Sequence, residues 1–176
     1  MKGHNVGSGA DYLQLAIDSW DNVLEGLRSG EIVLENESEL RYFFFHHCLI
    51  LMKEKAFEKP YSIFAENSLG TDEKYPSKCD LVLGEAIAIE FKYKNSINTD
   101  EANAVKDDIL KLKRYLKDRK ANFGVFLMID QTGRYEQHIS TFIKKNVSSN
   151  YYEWQAVKLP NKRDTLHALR VVLLSG

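Results

Sequence analysis

The chain has 176 residues, of which 44% are hydrophobic and 28% charged, and its formal net charge is −1. These values favour one compact globular domain over residues 1–176. No apolar run is long enough to span a membrane, and residues 1–9 lack the apolar core of a signal peptide, so we expect a cytoplasmic protein with a flexible start. The two cysteines lack C-x-x-C spacing, which favours buried thiols over a zinc site or a disulfide.

The charges are unevenly distributed along the chain. Residues 1–90 hold 8 Lys/Arg and 16 Asp/Glu, whereas residues 91–176 hold 16 and 9. A nucleic-acid enzyme can be neutral overall if its basic side faces the phosphates. The alternative is that the difference between the halves disappears once the chain is folded.

The first half predicts two helices and a strand. Apolar residues at helical spacing predict an amphipathic helix over 11–29, which Gly30 is placed to end. A second helix is predicted over 36–55, and because it is apolar nearly all round we expect it to be buried. A strand over 61–66 and a polar loop over 67–76 follow.

Two short apolar runs in the middle of the chain carry three charges. They read KCDLVL over 78–83 and AIAIEFKY over 86–93, and they predict a hairpin. In the second strand, Glu90 and Lys92 share a face with small residues. A three-residue turn over 84–86 would place Asp80 opposite Glu90 on that same face, with Val82 opposite Ala88.

Directly opposed residues in a hairpin have Cβ atoms about 5 Å apart. Two carboxylates at that distance repel unless one is protonated or a cation lies between them. A hard divalent cation such as Mg²⁺ or Mn²⁺ suits oxygen ligands and often uses only one or two carboxylates. The pair Asp80 and Glu90 therefore predicts a metal site, with Lys92 beside it.

The remainder of the chain predicts further helices and strands around this hairpin. These are a helix over 103–120, a continuous apolar strand over 123–129, a helix over 135–146, and a hairpin of strands 151–159 and 166–174. The first of these helices should place its apolar stripe on the sheet. Its lysines, among them Lys113, would then lie on the other side.

The arrangement of Asp80 and Glu90-x-Lys92 on adjoining strands resembles the PD-(D/E)xK nuclease superfamily. Two other matches to the second half of this motif, at 72–74 and 118–120, lie in turn or helix-surface sequence. The resemblance covers about residues 36–130 as an order of elements, α-β-β-β-α-β. It implies an α/β, restriction-endonuclease-like three-layer core, in which helices flank a central mixed β-sheet. An extra N-terminal helix and a C-terminal helix plus hairpin would be additions to that core.

This resemblance implies a Mg²⁺-dependent endonuclease, for which Mn²⁺ can substitute. Asp80, Glu90 and the backbone carbonyl of Phe91 would hold the metal, and Lys92 would orient the attacking water. Glu39 corresponds to an acid that contacts the metal in such nucleases, although Asn36-x-x-Glu39 also fits a helix capping box.

The same resemblance implies that the partner is nucleic acid, with DNA favoured. By analogy with the family, it also implies a homodimer. Lys94, Lys111 and Lys113 would contact phosphates, although Lys111 also fits an exposed helix lysine. His46 and Glu66 are two further candidates. His46 fits either an active-site histidine or a histidine of the core. Glu66 fits either an acid of the metal site or a solvated acid at the end of a strand.

Two other functions stay open at this point. One is a module that kept this fold without the chemistry and binds nucleic acid or a protein. The other is that Glu90 and Lys92 form a simple surface ion pair, which predicts no response to metal.

Overall fold

The computed structural model describes residues 8–55, 57, 63–68, 78–84, 86–96, 99–147, 150–160 and 165–175, with the backbone alone at 63–68, 99–101 and 150. Within these residues the chain forms four α-helices and six β-strands in the order α-α-β-β-β-α-β-α-β-β. They are α1 (Gly9–Ser29), α2 (Glu37–Glu54), β1 (Ile63–Ser68), β2 (Lys78–Leu83), β3 (Ile87–Lys94), α3 (Thr99–Lys117), β4 (Phe123–Asp130), α4 (Glu136–Asn146), β5 (Asn150–Lys158) and β6 (Thr165–Leu174). The predicted order of elements is confirmed.

All six strands join one mixed sheet in the order β1-β2-β3-β4-β6-β5. Strand β3 pairs antiparallel with β2 and parallel with β4, and the other neighbours are antiparallel. The parallel pair needs a crossover, which α3 supplies. The central position of β3 places its charged residues inside the fold, since strands flank it on both sides.

Helices cover both faces of this sheet. The odd-numbered residues of β3, Ile87 to Tyr93, pack in a cluster with α1 and α2. Ala88 packs in a second cluster with α3 and α4. Strict alternation in β3 thus sends its large apolar residues to one layer, and Ala88, Glu90 and Lys92 to the other, as the sequence predicts.

Helix α1 begins with a capping box formed by Ser8 and Asp11. It ends at Gly30, whose φ of 81° is a left-handed cap. Ser8 and Gly9, within the segment expected to be flexible, therefore form the start of α1, and residues 1–7 lie outside the described residues.

Helix α2 is buried on one face only, so the prediction of a buried helix is wrong for its other side. The fully buried residues recur every four positions, at Leu40, Phe44, Cys48 and Met52. Tyr42 is 62% exposed, and Leu49 and Ile50 are also exposed. The reason is that α2 packs on α1 and β3, which cover one stripe of it and leave the opposite apolar side without cover from the described sheet.

The turn between β2 and β3 sets the register of the predicted hairpin. Ala86 N–H donates to Leu83 O at 3.1 Å, and Gly84 has a φ of 59°. Val82 pairs with Ala88, which confirms the predicted register. An added Cβ at Gly84 would lie 2.3 Å from the Tyr12 ring.

The variant Gly84→Ala is expected to lower the free energy of unfolding by about 1–3 kcal/mol, because the left-handed backbone and the ring contact both disfavour a side chain. Urea unfolding measures the change. Repeating it in a Tyr12→Leu background separates the two causes, since only the ring contact is relieved there. An unchanged free energy for Gly84→Ala would contradict this turn.

Among the described helices, none combines the length and the hydropathy needed to cross a lipid bilayer.

Candidate active site

Glu90 is a buried carboxylate at the centre of the sheet. Strand β3 turns it toward α3, and the residue is 2% exposed. Its Oε1 atom lies 2.8 Å from Lys111 Nζ. Within the described residues that oxygen has no hydrogen bond of good geometry, so the contact is an ion pair at short range with poor alignment.

The protonation of Glu90 follows from this environment. Burial raises the pKa of Glu90, and the charge of Asp80 raises it further, to about 8, while Lys111 opposes the change. Without a bound cation, Glu90 therefore holds its proton to a higher pH than an exposed glutamate does. Asp108 Oδ1 also lies 3.6 Å from Lys111 Nζ, so this ammonium group is shared between two acids.

Asp80 lies beside Glu90, but its carboxylate is directed differently from the prediction. The paired part of β2 and β3 ends at Leu81 and Ile89. Beyond this point, Phe91 N–H of β3 donates a hydrogen bond to Asp80 Oδ2 at 2.9 Å. The other carboxylate oxygen, Asp80 Oδ1, lies 3.3 Å from Arg41 NH1 of α2. The prediction that all three charges share one face is thus wrong for Asp80.

The physical reason is an interruption of alternation at the start of β2. Cys79 and Val82 both pack in the cluster on the α3 side, which strict alternation would not allow. The carboxylate of Asp80, rather than a backbone carbonyl of β2, accepts the hydrogen bond from Phe91 N–H. Its carboxylate therefore lies between the two helical layers, near enough for its charge to raise the pKa of Glu90.

Lys92 lies at the same end of β3, between two acids from different helices. Its Nζ is 2.9 Å from Asp108 Oδ2 of α3 and 3.8 Å from Glu37 Oε2 of α2. Burial alone would lower the pKa of Lys92, but Asp108 chiefly, with Glu37 and Asp80, raises it overall. Lys92 is therefore a charged lysine fixed in position at the candidate site.

Asp108 is a site residue that the sequence interpretation missed. It contacts both Lys92 and Lys111, and its side chain is 17% exposed. The available signal was its spacing of three residues from Lys111 on α3, which puts both on one helix face. That face lies over β3, so the alternative of an exposed Lys111 is wrong, since its side chain is only 19% exposed.

Glu39 is engaged at the start of α2. Its N–H donates to Asn36 Oδ1, and its Oε2 accepts the N–H of Glu35 at 2.6 Å. These contacts favour the capping alternative, and the acid that α2 brings toward Lys92 is Glu37. The metal role of Glu39 stays a prediction.

The other candidates are placed as follows. His46 is exposed and stacks on Tyr42 with 6.2 Å between ring centroids, which corrects the core alternative. The side chain of Glu66 lies outside what is described. Lys113 Nζ donates to Asn146 O at the end of α4, 2.8 Å away, and is exposed. Lys94 is half-buried at the end of β3.

The donor set of this site fits a hard divalent cation with few protein ligands. The described part of the chain contains no group of three or more His, Cys, Asp or Glu side chains arranged to hold a metal. Asp80 and Glu90 provide two carboxylates, and a Mg²⁺ ion commonly completes its shell with water. The poorly aligned, buried Glu90 Oε1 is the observation that favours a cation, because added positive charge would stabilise its ionised form.

Comparisons with known proteins leave this site to be interpreted from its own geometry. No protein-family model matches the chain, and neither a curated protein nor a solved structure matches it.

Proposed function

We propose that this protein is a Mg²⁺-dependent nuclease that hydrolyses phosphodiester bonds, with DNA as the favoured substrate. The observation that carries the proposal is the buried Glu90 carboxylate beside Asp80, with Lys92 two residues further along the same strand. A buried acid next to a second acid is costly for a fold, and such an arrangement is typical of catalytic and metal sites. The element order α2-β1-β2-β3-α3-β4 supports a restriction-endonuclease-like core.

Each residue has a distinct role in this proposal. Asp80, Glu90 and the backbone carbonyl of Phe91 would hold Mg²⁺, which when bound polarises a phosphate and lowers the pKa of water. Lys92 would orient the attacking water and offset negative charge that develops on the phosphate. Asp108 would keep Lys92 in place through the contact at 2.9 Å.

Lys111 would also change its contacts when a cation is held. In the structure its ammonium group pairs with Glu90 at 2.8 Å and donates a hydrogen bond to the backbone oxygen of Lys78 at 3.1 Å. If Glu90 held the cation, its carboxylate would no longer need Lys111 as a partner, and Lys111 could contact a phosphate. This supports the predicted phosphate contact at Lys111, whereas Lys113 is engaged with the end of α4.

A second candidate is a nucleic-acid-binding or protein-binding module without catalysis. One observation favours it: the acids of the site are paired with the chain's own cations, Asp80 with Arg41 and Glu90 with Lys111. A site neutralised in this way can persist without a metal. The two candidates differ in whether the carboxylates bind a divalent cation.

The melting temperature in the presence of Mn²⁺ separates them. A ligand at about 100 times its dissociation constant stabilises the folded state by about 2.7 kcal/mol, which for a chain of this size raises the melting temperature by about 5 °C or more. We expect this increase for the wild type but not for Asp80→Ala. The rise should be larger at pH 8 than at pH 5.5, because Glu90 must lose its proton to bind the cation.

The matched control for this experiment is Asp21→Ala, which removes an exposed acid of α1 that pairs with Arg170. It should keep the full response to Mn²⁺. An equal rise in Asp80→Ala would show that the cation binds elsewhere, and no rise in the wild type would favour the silent module.

A further inference from the structure

A groove runs along the exposed side of α2 and reaches the candidate site. Its walls come from one stripe of the helix and from the neighbouring strands, and its volume is about 410 Å³. Asp80 belongs both to this groove and to the site. The residues that line the groove are Ser38, Arg41, Tyr42, Phe45, Asp80, Leu81 and Phe91.

The helix residues of the groove follow a spacing of three and four, so they form a continuous stripe. Tyr42 is 62% exposed at its rim, where its ring stacks on that of His46 with 13° between the planes. Phe45 is half-buried below it. The stripe therefore presents flat aromatic surface to solvent next to the Asp80 carboxylate.

The chemistry of this lining selects among the parts of a nucleic acid. A phosphate is bound chiefly by cations and N–H groups, but Arg41 is the one cation among the described residues that line the groove, and it lies 3.3 Å from the Asp80 carboxylate. A nucleobase instead has a flat π-face that stacks on aromatic side chains and an edge that accepts hydrogen bonds from arginine. Aromatic faces with one arginine suit a base better than a backbone.

We propose that this groove binds an unpaired nucleobase adjacent to the bond that is cut, so that the substrate is a single-stranded or locally unpaired nucleic acid. A base within a duplex shows only its edges, because its faces are stacked on neighbouring pairs. Only an unstacked base can lie against Tyr42. The choice of ligand rests on the proposed function, since Asp80 joins the groove to the site.

Fluorescence of 2-aminopurine tests this inference directly. This base analogue loses fluorescence when it stacks, so it can be placed at successive positions of a single-stranded oligonucleotide and mixed with the metal-free protein in EDTA. We expect quenching at one or two adjacent positions with the wild type. Tyr42→Ala should abolish this quenching and weaken single-strand binding about tenfold, whereas Tyr42→Phe should retain both.

The matched control is Tyr151→Ala, which removes a tyrosine that is 79% exposed on β5. It should leave quenching and affinity unchanged. Unaltered quenching in Tyr42→Ala, or wild-type affinity for a duplex equal to that for a single strand, would overturn the inference.

The outcomes separate this inference from the proposed nuclease function. Metal-dependent cleavage by the wild type, combined with quenching that does not depend on Tyr42, would overturn the groove and leave the nuclease in place. Quenching that depends on Tyr42, without cleavage in any metal, would support the groove and contradict the nuclease.

Discussion

Lys92→Met and Asp80→Asn are each expected to reduce metal-dependent cleavage by about 10²-fold or more while the protein remains folded. In the proposed mechanism Lys92 supplies a fixed positive charge where negative charge would develop, and the neutral, nearly isosteric methionine removes it. Asp80→Asn removes the charge of one of the two carboxylates that would hold the cation. Initial cleavage rates at saturating Mg²⁺ measure both effects, with thermal melting as the check on folding.

The two variants should differ in metal binding. Lys92→Met should still show the increase in melting temperature with Mn²⁺, because it leaves both carboxylates intact, whereas Asp80→Asn should lose much of it. Lys158→Met is the control for removal of a lysine, since Lys158 is exposed on β5. Wild-type rates in Lys92→Met would contradict the role proposed for this lysine.

The stability of the metal-free protein is expected to fall as the pH rises from about 4.5 to 8. The pKa of Glu90 is about 8 in the folded protein and 4.5 in the absence of structure. Between these values the unfolded chain ionises while the folded chain keeps its proton, so ionisation favours unfolding. The loss from this one group is about 3–5 kcal/mol and is complete above the folded pKa.

Glu90→Gln removes this loss, because the amide has no proton to release in that range. The variant should therefore gain stability relative to the wild type as the pH increases from 5 to 8, as measured by urea unfolding in EDTA. Glu25→Gln, at a side chain that is 72% exposed, should instead give a curve parallel to the wild type. A parallel curve for Glu90→Gln would contradict a buried Glu90 with a raised pKa.

The sequence predicted the elements around the site because its signals there are local. Alternation of small and large residues in β3 fixed which of its faces carries Glu90 and Lys92. The turn at Gly84 fixed the pairing of Val82 with Ala88, which the structure confirms. The wrong part was Asp80, since the bond from Phe91 N–H to its side chain is a contact between strands that periodicity does not encode.

Two further features of the site depend on tertiary packing. Asp108 belongs to the site because α3 crosses β3 at that point. In the sequence it is one of several charged residues of an amphipathic helix, and its spacing from Lys111 does not by itself mark it as a site residue. The exposed side of α2 also could not be predicted from the sequence. Its apolar residues are spread around the helix, and which stripe is covered depends on the position of α2 over β3 rather than on composition.

The most direct test of the central claim is a cleavage assay on a panel of plasmid, linear duplex, branched and single-stranded DNA and structured RNA. Wild type and Lys92→Met, purified identically, are incubated with each substrate in Mg²⁺, Mn²⁺ or EDTA. A nuclease centred on Asp80, Glu90 and Lys92 predicts cleavage by the wild type in Mg²⁺ or Mn²⁺, none in EDTA, and about 10²-fold less with Lys92→Met. Absence of cleavage on every substrate, or cleavage that persists in EDTA or at wild-type rates in Lys92→Met, would contradict it.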